Sequence, residues 1–241
     1  MFSPHRLNER RRKDEIMDDP QLEASRHVAA LDGLARLNLL SGSARLVWKP
    51  ILDLTRRRGL EKVRVLDVAT GSGDLPIALW HRAQKARLDF EIHGVDVSER
   101  ALDYARERAA AARARIGFSQ LDVLEQDLPD GFDVVVSSLF LHHLSADQGR
   151  HLLSAMAGAT RHLVVISDLV RNRRGLLLTE FAVRIFTRSD VVHIDGPRSV
   201  RAAFSRDEVG HLALEAGLEG VSVKPRWPCR FVLTWTRTAG E

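Results

Sequence analysis

The sequence predicts an α/β fold built on a seven-stranded, mostly parallel sheet with helices on both faces. From residue 63 onward, short apolar runs bounded by turn residues alternate with longer segments of helical periodicity. That alternation is typical of a parallel sheet covered by helices. The apolar run 63–68 also leads directly into a loop of small residues, 69–73, and then into a helix-like segment. A buried strand that enters a tight turn and a helix N-terminus explains this order.

Two helices are predicted before the first strand. Residues 21–40 and 44–54 carry apolar side chains at helical spacing, with a break at Gly42. Pro50 predicts a kink or a restart in the second of these helices. We interpret residues 21–60 as an N-terminal helical cap.

The core domain, residues 61–241, is predicted to hold seven strands and four helices. The strands lie at residues 63–68, 90–95, 116–121, 132–137, 163–167, 221–223 and 231–236. The helices lie at residues 75–85, 99–113, 146–159 and 206–216. No helix separates the last two strands, so we expect them to form an antiparallel hairpin at one edge of the sheet.

Residues 169–203 interrupt the alternation of strand and helix. They contain an extra helical segment near 176–186 and the sequence Asp195-Gly196-Pro197, which favours a turn. We interpret this segment as a lid-like insertion that, with the helical cap, covers the carboxyl edge of the strands.

The composition is that of an ordinary globular protein, with 44% hydrophobic and 28% charged residues in 241. The net charge of +4 allows an anionic partner without requiring one. Residues 1–20, with the basic run 10–13, are predicted to form a flexible arm. A single cysteine, Cys229, excludes an internal disulfide and a cysteine-rich metal site. No leader-like or membrane-spanning apolar run occurs, so we expect a cytoplasmic protein without a membrane span.

The loop after the first strand indicates which kind of nucleotide it holds. It reads GSGDLP over residues 71–76, without the third glycine of the dinucleotide fingerprint. Asp74 places a negative charge where a pyrophosphate would lie, against the anion preference of a helix N-terminus. No Gly-Lys-Ser/Thr follows, which excludes a P-loop. A neutral or cationic ligand suits the loop better.

Three acids lie at the ends of three successive predicted strands. Asp96 is placed to accept hydrogen bonds from both ribose hydroxyls, as in dinucleotide folds. Asp67 suits an amino-acid ammonium or an ordered water, and Asp122, with Val123 beside it, suits an adenine amino group and ring. Together they favour a ligand with a ribose, an adenine and a positive charge.

These motifs resemble those of the class I S-adenosylmethionine-dependent methyltransferases, over residues 62–168. In chain order they are VLDVATGSG (65–73), GVDVS (94–98), QLDV (120–123) and FDVVVS (132–137). Ala69 departs from the glycine that the family usually has. The resemblance implies a Rossmann-like sheet, S-adenosylmethionine as cofactor, S-adenosylhomocysteine as product, and no metal. The implied cofactor-binding residues are Asp67, Ala69, Thr70, Gly71, Gly73, Asp96, Val97, Asp122, Val123 and Ser137.

The segment after the fourth strand, SSLFLHHL over residues 137–144, faces the transferred methyl group in this family. A histidine near neutrality suits a general base for a hydroxyl acceptor, so His142 and His143 are the candidate catalytic residues. Asp168 and Arg171, at the end of the fifth strand, could orient a polar substrate. Further candidate substrate contacts are Arg36 in the cap and His193 and Arg201 in the insertion.

We expect methylation of a small molecule, with the hydroxyl of a phenolic or polyketide/quinone-like compound favoured over carbon. One alternative is a nucleic-acid methyltransferase, for rRNA or tRNA, that is recruited by the basic arm. Against it, residues 137–140 lack the Asn/Asp-Pro-Pro-aromatic segment of base-amine methylation, and aromatic residues make up only 6% of the chain. The other alternative is a noncatalytic S-adenosylmethionine-binding protein. A homodimer is compatible with the sequence.

Overall fold

The computed structural model describes residues 7, 9–19, 21–40 and 42–238. Its strands are β1 (Lys62–Val68), β2 (Asp89–Asp96), β3 (Ile116–Gln120), β4 (Phe132–Ser138), β5 (Thr160–Leu169), β6 (Ser222–Arg226) and β7 (Arg230–Thr236). Its α-helices are α1 (Ala24–Leu40), α2 (Ser43–Arg58), α3 (Asp74–Ala86), α4 (Glu99–Ala111), α5 (Ala146–Ala159), α6 (Arg173–Phe186), α7 (Asp190–Ala202) and α8 (Arg206–Glu215). Two 3₁₀ turns, Ile16–Asp18 and Leu141–His143, complete the described elements.

One seven-stranded sheet has the order β3-β2-β1-β4-β5-β7-β6. Strands β1 to β5 are parallel, and β7 pairs antiparallel with both β5 and β6. The predicted fold class, including the antiparallel C-terminal hairpin, is therefore confirmed. The strand order reverses between β1 and β4, and open sheets of this kind bind ligands at such a switch point, beyond the carboxyl ends of the strands.

Apolar clusters cover both faces of the sheet. On one face, α2 and α3 pack through residues such as Ile51 and Leu79 against Val65 and Val134 of the central strands. On the other face, α5 and α8 pack against the alternate side chains of the same strands, such as Leu66. Both faces of β1 and β4 are therefore buried, which explains why the strands read as continuous apolar runs.

A third cluster joins the N-terminal helix to the insertion. Leu22, just before α1, and Ala30, within it, belong to this cluster. They pack with Val183 of α6 and with Val191 and Val192 of α7. The cap and the insertion therefore share one small core of their own. The division of the chain into arm, cap, core and lid stays a prediction.

The insertion differs from the sequence prediction at Asp195-Gly196-Pro197, which lies inside helix α7 and is not a turn. The Asp195 carboxylate accepts hydrogen bonds from the backbone N–H groups of Ile16 and Met17, each at 3.0 Å. Gly196 lets the helix approach α6, since a Cβ there would lie 2.9 Å from Val183 Cγ1. These tertiary contacts explain why a segment whose sequence favours a turn is helical.

Pro50 likewise lies inside α2, so the helix does not restart there. The helix runs on to Arg58 and ends at Gly59, which adopts a left-handed φ of 60°. That φ is the usual termination of a helix by glycine. The predicted end at residue 54 was therefore one turn too early.

Gly94→Ala should lower the free energy of unfolding by about 1–3 kcal/mol, because an added Cβ would overpack a closed site. It would lie 2.8 Å from Thr70 Oγ1 and 2.9 Å from Phe118 Cδ1. The matched control is Gly210→Ala in α8, where the structure describes no atom within 4 Å of the new Cβ. It should stabilise the helix by about 0.5–1 kcal/mol. Urea titration of both variants checks the pair, and equal shifts in midpoint would contradict this account of Gly94.

Candidate active site

The loop after β1 is held by two carboxylates. Thr70 Oγ1 donates to Asp67 Oδ2 at 2.6 Å, and the Gly71 N–H donates to Asp96 Oδ2 at 2.8 Å. Asp96 Oδ1 also accepts from the Ser98 N–H at 2.9 Å. The carboxylate of Asp96 therefore ties the loop after β1 to the loop after β2. A carboxylate accepts up to about four hydrogen bonds, so these contacts are compatible with ligand hydroxyls at the same group.

The conformation of this loop requires small residues. Gly73 has a φ of 73°, and a Cβ there would lie 3.0 Å from Ala105 Cβ. Gly71 also has a positive φ, but none of the described atoms lies within 4 Å of the position of its Cβ. The space beside Gly71 is therefore open.

Two non-glycine residues in left-handed conformation flank the switch point. Ala69, after β1, has a φ of 57°, and Leu139, after β4, has a φ of 59°. Such conformations cost about 1–3 kcal/mol and cluster at ligand-binding and active sites. The glycine that the family usually has at position 69 would adopt this φ without the Cβ clash.

Asp67 is a buried carboxyl at the centre of the site. Burial is the main cause that raises its pKa, to about 7. The charges of Asp96 and Asp74 also raise this pKa, and the hydrogen bond from Thr70 lowers it. A cationic ligand group beside Asp67 would favour its ionised form. A perturbed acid at a switch point is a feature of functional sites.

Asp74 differs from its sequence interpretation because its charge is paired. Arg108 of α4 forms an ion pair with the Asp74 carboxylate and donates to the Ser72 carbonyl at 3.1 Å. The negative charge that the sequence places against a pyrophosphate is thus compensated in the structure. The remaining case against a dinucleotide rests on the missing third glycine.

The other predicted cofactor contacts lie around the same edge. Val123 is buried, Val97 is exposed, and the Asp122 carboxylate accepts from the Leu124 N–H at 2.9 Å. Ser137 of β4 is paired with Val68 of β1 in the register. Its hydroxyl is buried and has no hydrogen-bond partner among the described residues. A buried donor without a partner at this edge fits a polar ligand.

His142, in the turn after β4, and Asp168, near the end of β5, form a buried pair. His142 Nδ1 lies 2.7 Å from Asp168 Oδ1, and the His142 N–H donates to Asp168 Oδ2 at 3.2 Å. Burial raises the pKa of Asp168, but the charge and hydrogen bond of His142 outweigh it, so this pKa stays below its ordinary value. The carboxylate of Asp168 accepts in this contact, so the shared proton belongs to His142 Nδ1. In the neutral form of the imidazole, Nε2 then carries the lone pair.

Glu15 of the N-terminal segment faces both histidines. Its carboxylate lies 3.9 Å from His142 Nε2 and 4.0 Å from His143 Nε2. The donor atoms of these three residues lie within 4.8 Å of one another and could hold a metal ion. The sequence pointed to the two histidines but not to Glu15, which lies in a stretch without any local signal.

Residues 9–19 lie along α7 and the histidine turn. Arg10 stacks over the Phe204 ring at 3.5 Å and donates to the His142 carbonyl at 2.8 Å. Burial lowers the pKa of Arg10 to about 10. The Arg11 N–H donates to the Arg201 carbonyl at 3.0 Å. The rest of the predicted arm, residues 1–6, 8 and 20, lies outside the described residues.

The predicted substrate contacts are dispersed. Arg171 is buried and pairs with Glu208 at 2.7 Å, while it also donates to the Ala203 carbonyl. His193 Nε2 lies 2.9 Å from the Thr187 carbonyl. Arg36 is exposed on α1, and Arg201 lies 3.4 Å from Glu180. Only Asp168 lies directly beside a candidate catalytic residue, and a substrate role for any of the five stays a prediction.

Comparison with known proteins shows what the core is similar to. Residues 65–162, less than half of the chain, match the family described as a methyltransferase domain. Demethylmenaquinone methyltransferase of Thermus thermophilus is 41% identical over 101 residues, which are 40% of this chain and 42% of that protein. The chain spans about two fifths of the length of the curated relatives it matches.

Solved structures agree on the fold. The S-adenosylmethionine-dependent methyltransferase SibL aligns with a TM-score of 0.64 and 21% identity, over 97% of this chain and 65% of that one. Mitomycin 7-O-methyltransferase MmcR aligns with a TM-score of 0.55 and 19% identity, over 73% of this chain and 49% of that one. Together with the matches of the core, they confirm the resemblance to class I methyltransferases.

Replacing Asp67 by Asn should change how stability depends on pH. The folded pKa of about 7 lies above the ordinary 3.8, so the folded state keeps a proton that the unfolded state loses. The contribution of Asp67 to the free energy of unfolding therefore falls as the pH rises from about 4 to about 7. Chemical denaturation at pH 5 and pH 8 should show Asp67→Asn more stable relative to wild type at pH 8. A difference that does not depend on pH would contradict the buried acid.

Proposed function

We propose that this chain, whose core is a class I methyltransferase domain, transfers a methyl group from S-adenosylmethionine to the hydroxyl of a small phenolic or quinone-like molecule. The main supporting observation is that the buried His142–Asp168 pair lies at the same carboxyl edge of the sheet as the loop that Asp67 and Asp96 hold. The name of the Thermus thermophilus relative supports a quinone-like acceptor, and the name of MmcR supports an oxygen acceptor.

The residues at the carboxyl edge fit this cofactor. Asp96 offers acceptors to ribose hydroxyls, and Ser137 offers a buried hydroxyl without a described partner. Asp67 offers a carboxylate to the ammonium group, and the open space at Gly71 lets the ligand approach the backbone. When bound, the cofactor supplies a methyl group on a positively charged sulfur. The carboxyl edge of the sheet therefore offers acids to the positive charge and the ribose hydroxyls of this cofactor.

The His142–Asp168 pair provides the proton acceptor. With the proton fixed on Nδ1 by Asp168, His142 Nε2 can receive the proton of an acceptor hydroxyl. Asp168 then stabilises the imidazolium across the 2.7 Å contact. Glu15, 3.9 Å from Nε2, adds a second carboxylate near the same proton. Carbon methylation would use the same residues. Methylation at oxygen is therefore a separate part of the proposal, with its own test.

The two alternatives predict different results with the same protein. A nucleic-acid enzyme recruited by the arm would show RNA binding that falls steeply with salt and is lost without residues 1–20. A noncatalytic binding protein would bind the cofactor and transfer nothing. Among the charged residues of the arm, Arg10 is already engaged with Phe204 and His142.

Asp96→Ala should weaken the binding of S-adenosylmethionine by about 1–3 kcal/mol, because the ribose hydroxyls lose a charged acceptor. Asp89→Ala is the matched control, since Asp89 starts the same strand that Asp96 ends. It changes the charge equally at the opposite edge of the sheet. Isothermal titration calorimetry of both variants tests the assignment, and equal affinities would remove Asp96 from the cofactor site.

His142→Gln should lower turnover by about 10²–10⁴-fold with cofactor affinity unchanged, because proton transfer is lost while the cofactor contacts remain. His211→Gln, at an exposed position on α8, is the control. The assay follows labelled methyl transfer to a panel of phenols and quinols, with mass spectrometry to separate oxygen from carbon products.

The same assay in EDTA should give full activity, since the proposed chemistry needs no metal. Loss of activity that Zn²⁺ restores would instead point to a metal held by Glu15, His142 and His143. If His143→Gln alone abolished transfer, the base would be His143.

A further inference from the structure

Helix α6 presents an apolar stripe to solvent. Leu177, Phe181 and Ile185 are 67%, 65% and 55% exposed and follow one another at four-residue spacing, so they lie along one face. Leu178 and Phe186 beside them are also exposed. Large apolar side chains that are contiguous on a surface mark an interaction site, whereas single ones do not.

The opposite face of α6 is firmly packed, so the orientation of the stripe is fixed. Val183 is 2% exposed and lies in the apolar cluster with Val191 and Val192 of α7. Asn172 caps the start of the helix, because its side-chain oxygen accepts from the Gly175 N–H at 2.6 Å. Rotation of the helix to bury the stripe would expose Val183 and break the contact with α7.

The stripe is surrounded by positive charge. Residues 173–188 contain four arginines and one acid, Glu180. Glu180 is half-buried and lies 3.4 Å from Arg201. Arg174, Arg184 and Arg188 are exposed. This surface therefore combines an apolar centre with a cationic surround.

An exposed tryptophan, Trp227, lies in the turn that contacts the first residues of α6. It is 78% exposed in the turn between β6 and β7. Cys229 of the same turn has its Cβ 3.1 Å from the position of a Cβ on Gly175, so the turn lies against the first residues of α6. Tryptophan is enriched at the interface between lipid and water.

We propose that this surface docks on a lipid bilayer with anionic headgroups, with α6 lying in the plane of the interface. Apolar residues on one face and arginines beside them are the features of such interfacial helices. None of the described helices has the length and apolar character to cross a bilayer. A second copy of the chain fits less well, because a two-fold contact through α6 would bring its arginines together. Anionic lipids would neutralise them. The inference is independent of methyl transfer, since it concerns binding alone.

Vesicle co-sedimentation of the full chain tests the proposal. The protein should bind phosphatidylglycerol vesicles and bind phosphatidylcholine vesicles at least about tenfold more weakly. Phe181→Glu should lower binding to phosphatidylglycerol at least about tenfold, because a charge replaces an inserted ring. The matched control, Leu214→Glu, changes an apolar residue of α8 that is 56% exposed, and should bind as wild type. The triple change of Arg174, Arg184 and Arg188 to Gln should remove the preference for the anionic lipid.

Circular dichroism melts establish that each variant is folded, and Phe181→Ala serves as a second variant that adds no charge. Wild type that fails to bind phosphatidylglycerol vesicles overturns the proposal, as does Phe181→Glu binding as well as wild type. Light scattering measures the oligomeric state and so tests whether a second copy occupies the surface. If wild type is a dimer, Phe181→Glu is a monomer and neither protein binds vesicles, the surface belongs to a contact between two copies. That result would also overturn the lipid proposal.

Discussion

The hydrogen bond from the Gly71 N–H to the Asp96 carboxylate joins the two loops on which the rest of the site depends. It forms because β1 and β2 are adjacent and parallel, so their carboxyl ends meet at one edge. Thr70 closes the same network on Asp67, and Gly94 of β2 leaves room for its hydroxyl. One local geometry therefore sets the backbone conformation of the loop and the directions in which its acids point.

The second half of the site comes from the neighbouring pair of strands. The turn after β4 carries His142, and Asp168 lies near the end of β5. The parallel pairing of the two strands brings these residues within hydrogen-bond distance. Leu139, in a left-handed conformation after β4, redirects the chain into that turn. Glu15 then approaches from the N-terminal segment. Acids that suit a cationic nucleoside and a histidine that suits a proton transfer thus share one sheet edge.

Much of the fold could be predicted because its signals are local. The buried strands read as apolar runs, and the order of helix and strand predicts parallel pairing. What failed depends on distant contacts: Asp195 caps the backbone at Ile16 and Met17, about 180 residues away in sequence. No pattern around Glu15 signals that it faces His142. The pairing of Asp168 with His142 was also missed, although both residues were candidates, since spacing alone does not show which side chains meet.

The central claim is that carboxylates at the switch point hold a positively charged nucleoside. A crystal structure of the full chain grown with S-adenosylhomocysteine, which keeps the ribose and the ammonium group, tests it most directly. We expect the ribose hydroxyls within hydrogen-bond distance of Asp96 and the ammonium group on the side of Asp67. A nucleoside bound away from the carboxyl ends of β1 and β2, or turned so that neither acid contacts it, would contradict the account.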